Sequence, residues 1–289
     1  EFLSDIDVTG ITVSDGMSTN TAGTSNFIAG VNAGDSIVSG GNYNTVVGDE
    51  AGTAITTGDQ NTAVGFEALK TVASGSSSTA VGFKALRLNI SGHANTAVGV
   101  SAMTSNTIAS DNTAMGYNAL EANTTGDRNT AVGRSALESN VDGDRSVAVG
   151  YSALANQDPT SNVDMYNTAV GYWAGYSVTT GVQNTFIGGL AGDVTTSGQK
   201  NVAVGHNSLG SNTTGSSNVT VGAYSLDANT TGGNNSAFGE AALGANTTAS
   251  DNAAFGFNAL ATNTTGSSNT AVGKSSLVAN TTGVQNVAV

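Results

Sequence analysis

"NTAMGYNALEANTTGDR" runs from Asn112 to Arg128, and "NTAVGRSALESNVDGDR" starts the same pattern again at Asn129 and ends at Arg145. The glycine that follows Ala-Met or Ala-Val recurs at Gly48, Gly65, Gly82, Gly99, Gly116, Gly133 and Gly150, always seventeen residues apart. One interval of twenty-one leads to Gly171, and seventeen then resumes through Gly188, Gly205, Gly222, Gly239, Gly256 and Gly273. A fixed period over most of a chain is the mark of a solenoid, in which each repeat packs only against its neighbours.

Counting from that glycine as position 0, each position has its own chemistry. Position −1 is apolar (Val64, Val98, Met115, Val132, Ile187, Phe238), position −2 is nearly always Ala, and position −4 is Asn, with Ser78 and Ser146 as substitutes. Position +4 is Leu or Met in most repeats (Leu69, Leu86, Met103, Leu120, Leu209) and is followed by a loop, usually Asn-Thr-Thr-Gly. Apolar runs this short, interrupted by Gly and Asn, do not make helices. They predict two short strands per coil, with Gly65, Gly82, Gly99, Gly116, Gly133, Gly150 and Gly171 as corners. Coils in register would stack like residues about 4.8 Å apart, and Asn, Thr and Ser can then hydrogen-bond to their counterparts one coil away. The expected fold is therefore all-β, a parallel β-solenoid or β-roll, with residues 25–289 as the repeat shaft and residues 1–24 as a non-repeating connector.

Composition narrows the function. A chain of 289 residues could hold two ordinary domains, but 39 glycines, 6% aromatics and 10% charged residues suit a repeat better. A net charge of −13 disfavours binding to nucleic acid or anionic lipid, and no stretch approaches the roughly 20 apolar residues of a membrane span. The absence of cysteine excludes disulfides and thiol chemistry. "EFLSDIDVTGITVSDG" at the start lacks the basic and apolar regions of a signal peptide, and "VQNVAV" stops where earlier repeats place Gly, so a fragment of a longer chain is expected.

Energetics suggest assembly. One Val and one Leu per coil contribute roughly 1.5–3 kcal/mol each when buried. Ordering each of seventeen residues costs roughly 1–2 kcal/mol. Because Ala and Val are neighbours in the strand they point to opposite faces. With Ala on the outside allowing close approach, self-association around a threefold axis is expected.

These residues resemble a known family. "NTAVGYNAL…NTTGxxNTAVG" is similar to the head repeats of YadA-like trimeric autotransporter adhesins and to the repeat arrays of phage tail fibres and related bacterial surface fibres. The resemblance spans Asn26 to Val289, with "NFIAG" as a degraded first copy, although seventeen residues exceed the shorter adhesin repeat. It implies three chains, each a left-handed β-roll, packed as a homotrimeric shaft outside the cell. It also implies a role in adhesion or host recognition, with specificity often in a separate tip.

Four candidate sites follow. The first is the insertion "NQDPTSNVDMYNTAVGYWAGY" from Asn156 to Tyr176, the extra residues falling near 156–166, with the only Pro and the only Trp. Asp158, Asp164, Tyr166, Tyr172, Trp173 and Tyr176 could form a receptor site, because flat rings stack on sugars and carboxylates accept their hydroxyls; the plain alternative is a tolerated loop with local packing. The second is the ranks Thr213, Thr230, Thr247, Thr264, Thr281 and Asn212, Asn229, Asn246, Asn263, Asn280. Adjacent threonines point apart, so turn chemistry explains them better than ice binding. Their Asn-x-Thr triplets are also formal glycosylation sequons. The third is the acids Asp127 and Asp144, each followed by an arginine, Arg128 and Arg145, so local pairing is expected rather than a metal, and no calcium-loop signature appears. The fourth is catalysis, for which His93 and His206 have no evident partners and the acids are scattered; no enzyme activity, cofactor or metal is expected. The leading function is then a fibre segment that presents a cell-surface glycan or protein receptor site. The alternative is a monomeric solenoid binding ice or carbohydrate through a flat polar face.

Overall fold

The computed structural model describes residues 17–18 and 22–289. Each repeat contributes one three-residue strand, such as Thr113–Met115, paired in parallel with Thr130–Val132 in the next coil so that Thr faces Thr and Ala faces Ala. Among the described residues seventeen strands form a single sheet, giving an all-β parallel β-solenoid of about 15 coils. The one antiparallel pairing among the described residues joins Met17–Ser18 to Phe27–Ala29. That short strand falls inside the expected connector and covers a sheet edge that would otherwise invite further pairing; the rest of the connector up to residue 21 lies outside the described residues.

Two expectations are corrected. There is one strand per coil, not two. The second run instead places residues +2, +4 and +12 in the left-handed region: Asn118 at φ 54°, Leu120 at 52° and Arg128 at 59°. This turns their amides along the solenoid axis, so hydrogen bonds between coils continue where no strand exists. Asn118 N–H donates to Val100 (3.1 Å), Leu120 to Ala136 (3.0 Å) and Arg128 to Ser110 (3.1 Å). Each left-handed residue costs about 1–2 kcal/mol, which axial bonds of this kind offset. Position +4 accordingly takes Leu, Met or Gly and never a β-branched residue, for which this region is least accessible.

The second correction concerns the strand faces. Ala at position −2 is fully buried inside the coil, whereas Val at −1 and Thr at −3 point outward. Leu at +4 fills the interior from the opposite wall, and in such coils what remains beneath the strand mostly holds only a methyl group. The corner itself demands glycine. Gly116 has φ 142°, and a Cβ there would sit 2.5 Å from the Gly133 carbonyl oxygen in the next coil.

Exceptions to the pattern compensate one another. Where +4 is Gly, bulk returns elsewhere. Ile28 and Ile37 occupy the space beside Gly34, and Val46 and Ile55 the space beside Gly52. Phe186 replaces the strand Ala and serves two coils at once, lying against both Gly175 and Gly192. Polar exceptions pair likewise: Thr220 stands in for Ala, and its hydroxyl meets that of Ser208 at 2.6 Å.

Two ranks of buried asparagine line the interior. At −4, Asn112 Oδ1 accepts the Asn129 amide (2.8 Å) and its Nδ2 donates to the Gly126 carbonyl (2.8 Å). At +7, Asn123 Nδ2 donates to Asn106 Oδ1 and to the Gly126 carbonyl, both at 3.0 Å. The core of this solenoid is thus half polar and hydrogen-bonded throughout these ranks, as a buried amide must be.

Candidate functional surface

The outward face of the sheet is a regular surface. It carries Thr45, Thr62, Thr79, Thr96, Thr113 and Thr130 in one unbroken rank at −3, beside an apolar rank at −1. Met115 is 44% exposed and Phe255 41%. Beyond the corner, position +1 forms a third rank rich in exposed rings: Phe66, Phe83, Tyr117, Tyr151, Tyr172 and Phe257. Phe66 stacks on Phe83 with centroids 5.4 Å apart, and Arg134 lies over both Tyr117 and Tyr151.

The predicted receptor residues separate into two groups at opposite ends of the strand Thr168–Val170. On its C-terminal side Tyr151, Tyr172, Trp173 and Tyr176 form a continuous stack, with successive centroids 5.5, 5.2 and 5.0 Å apart. Tyr151 was missed in the sequence, although it shares the phase of Tyr172. The stack explains why Trp173, in the left-handed +2 position at φ 56°, is only half-exposed. Its Nε1–H is buried without a hydrogen-bond partner. Rings stacked on one another spend face area internally and offer mainly edges to a ligand.

On the N-terminal side, the insertion is anchored from within. Gln157 occupies the interior amide rank, donating to Asn140 Oδ1 (2.9 Å) and accepting from Asn167 (2.9 Å). Pro159 and Met165 are buried, filling space beside Gly143, while residues 160–164 are exposed. Asp164 pairs with Arg145 and accepts the Tyr166 hydroxyl (3.1 Å), and Arg145 lies over the Tyr166 ring. Asp158 is exposed on the loop, where its amide donates to the Thr179 carbonyl at 3.2 Å.

The other candidates have structural partners. Arg128 lies 3.6 Å from Asp127, the local pairing expected from sequence, and 3.5 Å from Asp144, whose own neighbour Arg145 pairs with Asp164 instead. These carboxylates also accept backbone amides of the preceding coil, Ser110 and Asp127, at 2.7 and 2.8 Å. His93 Nδ1 accepts the Ser76 amide (3.1 Å), and His206 meets Tyr224 edge-on. In the Asn-Thr-Thr loops the first threonine donates to the corresponding carbonyl one coil on, as Thr213 does to Thr230 at 3.0 Å, and the second faces solvent. Among the described residues, no group of three His, Asp or Glu side chains could hold a metal ion.

Two charged clusters mark the +5 rank. Lys70 pairs with Glu50 and Glu67, and Arg87 with Glu67, so the hydrogen bond from Lys70 holds the Glu67 carboxyl below its ordinary range. Farther along, burial raises the Glu121 carboxyl, assisted by the charge of Glu138. A carboxyl raised in the folded state costs stability as pH climbs through its unfolded value, and the full cost is present above its folded value. Glu121→Gln should therefore raise the melting temperature at pH 7, by no more than about 2 °C for a group only half-buried. It should leave melting unchanged at pH 3, where both side chains are neutral. A larger gain at pH 3 than at pH 7 would refute this assignment.

The geometry defines a class, the parallel β-solenoid with a flat, partly apolar outer face flanked by aromatic and ionic edges. No protein-family model matches the chain, and no curated protein matches it.

Proposed function

We propose that this chain is the shaft of a homotrimeric extracellular fibre, a tail fibre of a virion or a bacterial surface adhesin of the YadA-like kind, built from three left-handed β-rolls. Its task is presentation: a stiff rod that holds receptor contacts away from the particle or cell, with three copies converting weak contacts into firm attachment. No catalytic step is assigned to it. The glycan or protein receptor is met by a separate tip, or by those ring edges and carboxylates of residues 158–176 that contacts between copies leave exposed.

The outward sheet face carries this reading. A strip of roughly fifteen strands at about 4.8 Å is near 70 Å long and about 10 Å wide, or some 700 Å². In a trimer that area is divided between two neighbours, about 350 Å² each, so the flanking edges of the face must add to it to reach the ~800 Å² per partner of a stable interface. Valines and threonines leave it flat, and its repeat matches that of another copy. Among the described residues no helix is long and apolar enough to cross a membrane, which accords with an exposed shaft.

Light scattering of the purified chain should give three times 28.4 kDa. Placing Glu at both Val98 and Val132 should reduce that mass to the monomer while preserving the circular dichroism spectrum, since both side chains already point outward. A wild-type monomer would sink the assembly. One observation favours a second reading, a monomeric solenoid binding ice or carbohydrate: the unbroken hydroxyl rank from Thr45 to Thr130 on the flat face. Thermal hysteresis or glycan binding by a monomer would establish it.

A further inference from the structure

The repeat that makes the outer face suitable for another copy also makes it ambiguous. Sliding one chain along another by a single coil, about 4.8 Å, again sets Thr opposite Thr and Val opposite Val over most of the face, Met115, Ile187, Phe238 and Phe255 being the bulkier members of the −1 rank. Such a slip forfeits the contact of one coil in about fifteen. Weakly specified strand pairings slip for the same reason. A fibre of identical coils therefore needs a mark that fixes the relative height of its chains.

The chain carries such a mark at one height. Around the strands Val147–Val149 and Thr168–Val170 both edges of the outer face depart from the repeat. One edge carries the long loop with exposed residues 160–164 and the Arg145–Asp164–Tyr166 cluster. The other carries the four-ring stack from Tyr151 to Tyr176. Neither is loose: buried Pro159 and Met165 and the Gln157 amide hold the loop, and ring stacking holds the opposite edge. Preorganised features of this sort bind without a large ordering cost.

We infer that the 158–166 loop and the Tyr151–Tyr176 stack lock the axial register between copies of this chain. The partner is a second copy, since only another chain of the same coil height presents the matching irregularity at the same level. This inference rests on the self-association proposed above.

The chain has no cysteine, so Glu240→Cys gives a single spin-label site on the +1 edge, remote from the lock. In the assembled protein, pulsed electron paramagnetic resonance should give one narrow interchain distance distribution. One variant replaces residues 158–166 with the regular loop of residues 124–128. A second, Tyr172→Ala with Trp173→Asn and Tyr176→Ala, keeps the chain length and uses residues found at those positions in other coils, as Ala223, Asn118 and Ala155 are. Both should retain the assembled mass and circular dichroism spectrum, while the distribution broadens and gains components from copies displaced by multiples of about 4.8 Å. A single narrow distribution in both variants, with assembly intact, overturns the register lock and leaves the fibre reading standing. A monomeric wild type overturns both.

Discussion

Phe186→Ala should destabilise the solenoid by about 3–5 kcal/mol, the range for emptying a buried phenylalanine site. The expectation is near the upper end because the ring does the work of two leucines. The coils of Gly171 and Gly188 both lack the +4 Leu, and a Cβ at Gly175 would lie 2.8 Å from the ring, while one at Gly192 would meet Cε1 and lie 2.6 Å from Cδ1. The cavity would thus cross a coil boundary with no flexible neighbour to fill it. Adding Gly175→Leu and Gly192→Leu to Phe186→Ala restores the common pattern, and both glycines already hold the left-handed conformation that Leu120 adopts. The triple variant should recover most of the loss in urea denaturation followed by circular dichroism. If the single substitution costs under about 1 kcal/mol, or the added leucines bring no recovery, the account of volume exchange between coils is wrong.

The second large effect separates the two asparagine ranks. Asn112→Leu removes the acceptor of the Asn129 amide and strands that N–H inside the roll. It also takes one of the two donors from the Gly126 carbonyl. A buried polar group left unpaired costs about 1–3 kcal/mol, and the larger Leu adds overpacking of about 1–3 kcal/mol. Asn123→Val should lose less, because Asn112 continues to donate to Gly126 and the groups it strands are side-chain atoms, Asn106 Oδ1 and one N–H of Asn140, rather than a backbone amide. The chain already tolerates this exchange at +7, where Ile55, Val72 and Val178 are buried. Asn112→Ser should be intermediate, following Ser78, whose Oγ accepts the Asn95 amide at 3.3 Å. Equal losses from Asn112→Leu and Asn123→Val would contradict the distinction.

Much of this was legible from the repeat. The period gave the solenoid, the invariant glycine gave the corner, and the asparagine phases gave the ladders. The direction of the strand was not legible. Alternation in Thr-Ala-Val places Ala opposite its two neighbours, but which side faces inward depends on how much space Leu leaves, and that is a property of the closed coil. The second strand failed for a different reason. Leu and Asn in left-handed conformations have no sequence signal as plain as glycine, so a turn that bonds along the axis reads as a strand. At the insertion, composition pointed to the right residues but not to their division. Tyr166 and Tyr172 are six apart in sequence, yet the strand between them carries them to opposite edges. Tyr151 could have been found by phase alone, twenty-one residues before Tyr172 across the long interval.

The axial direction of the hydrogen bonds has a mechanical consequence. A pull on the two ends of the rod acts along the bonds between coils and concentrates on the terminal one, as in opening a zip. Each coil that yields releases seventeen residues, up to about 58 Å when fully drawn out, in place of a rise of about 4.8 Å. One chain therefore lengthens in steps near 50 Å while the coils behind the break stay closed. A rod of this construction absorbs a sudden load by surrendering coils one at a time, and the remaining stack is the template on which they re-form.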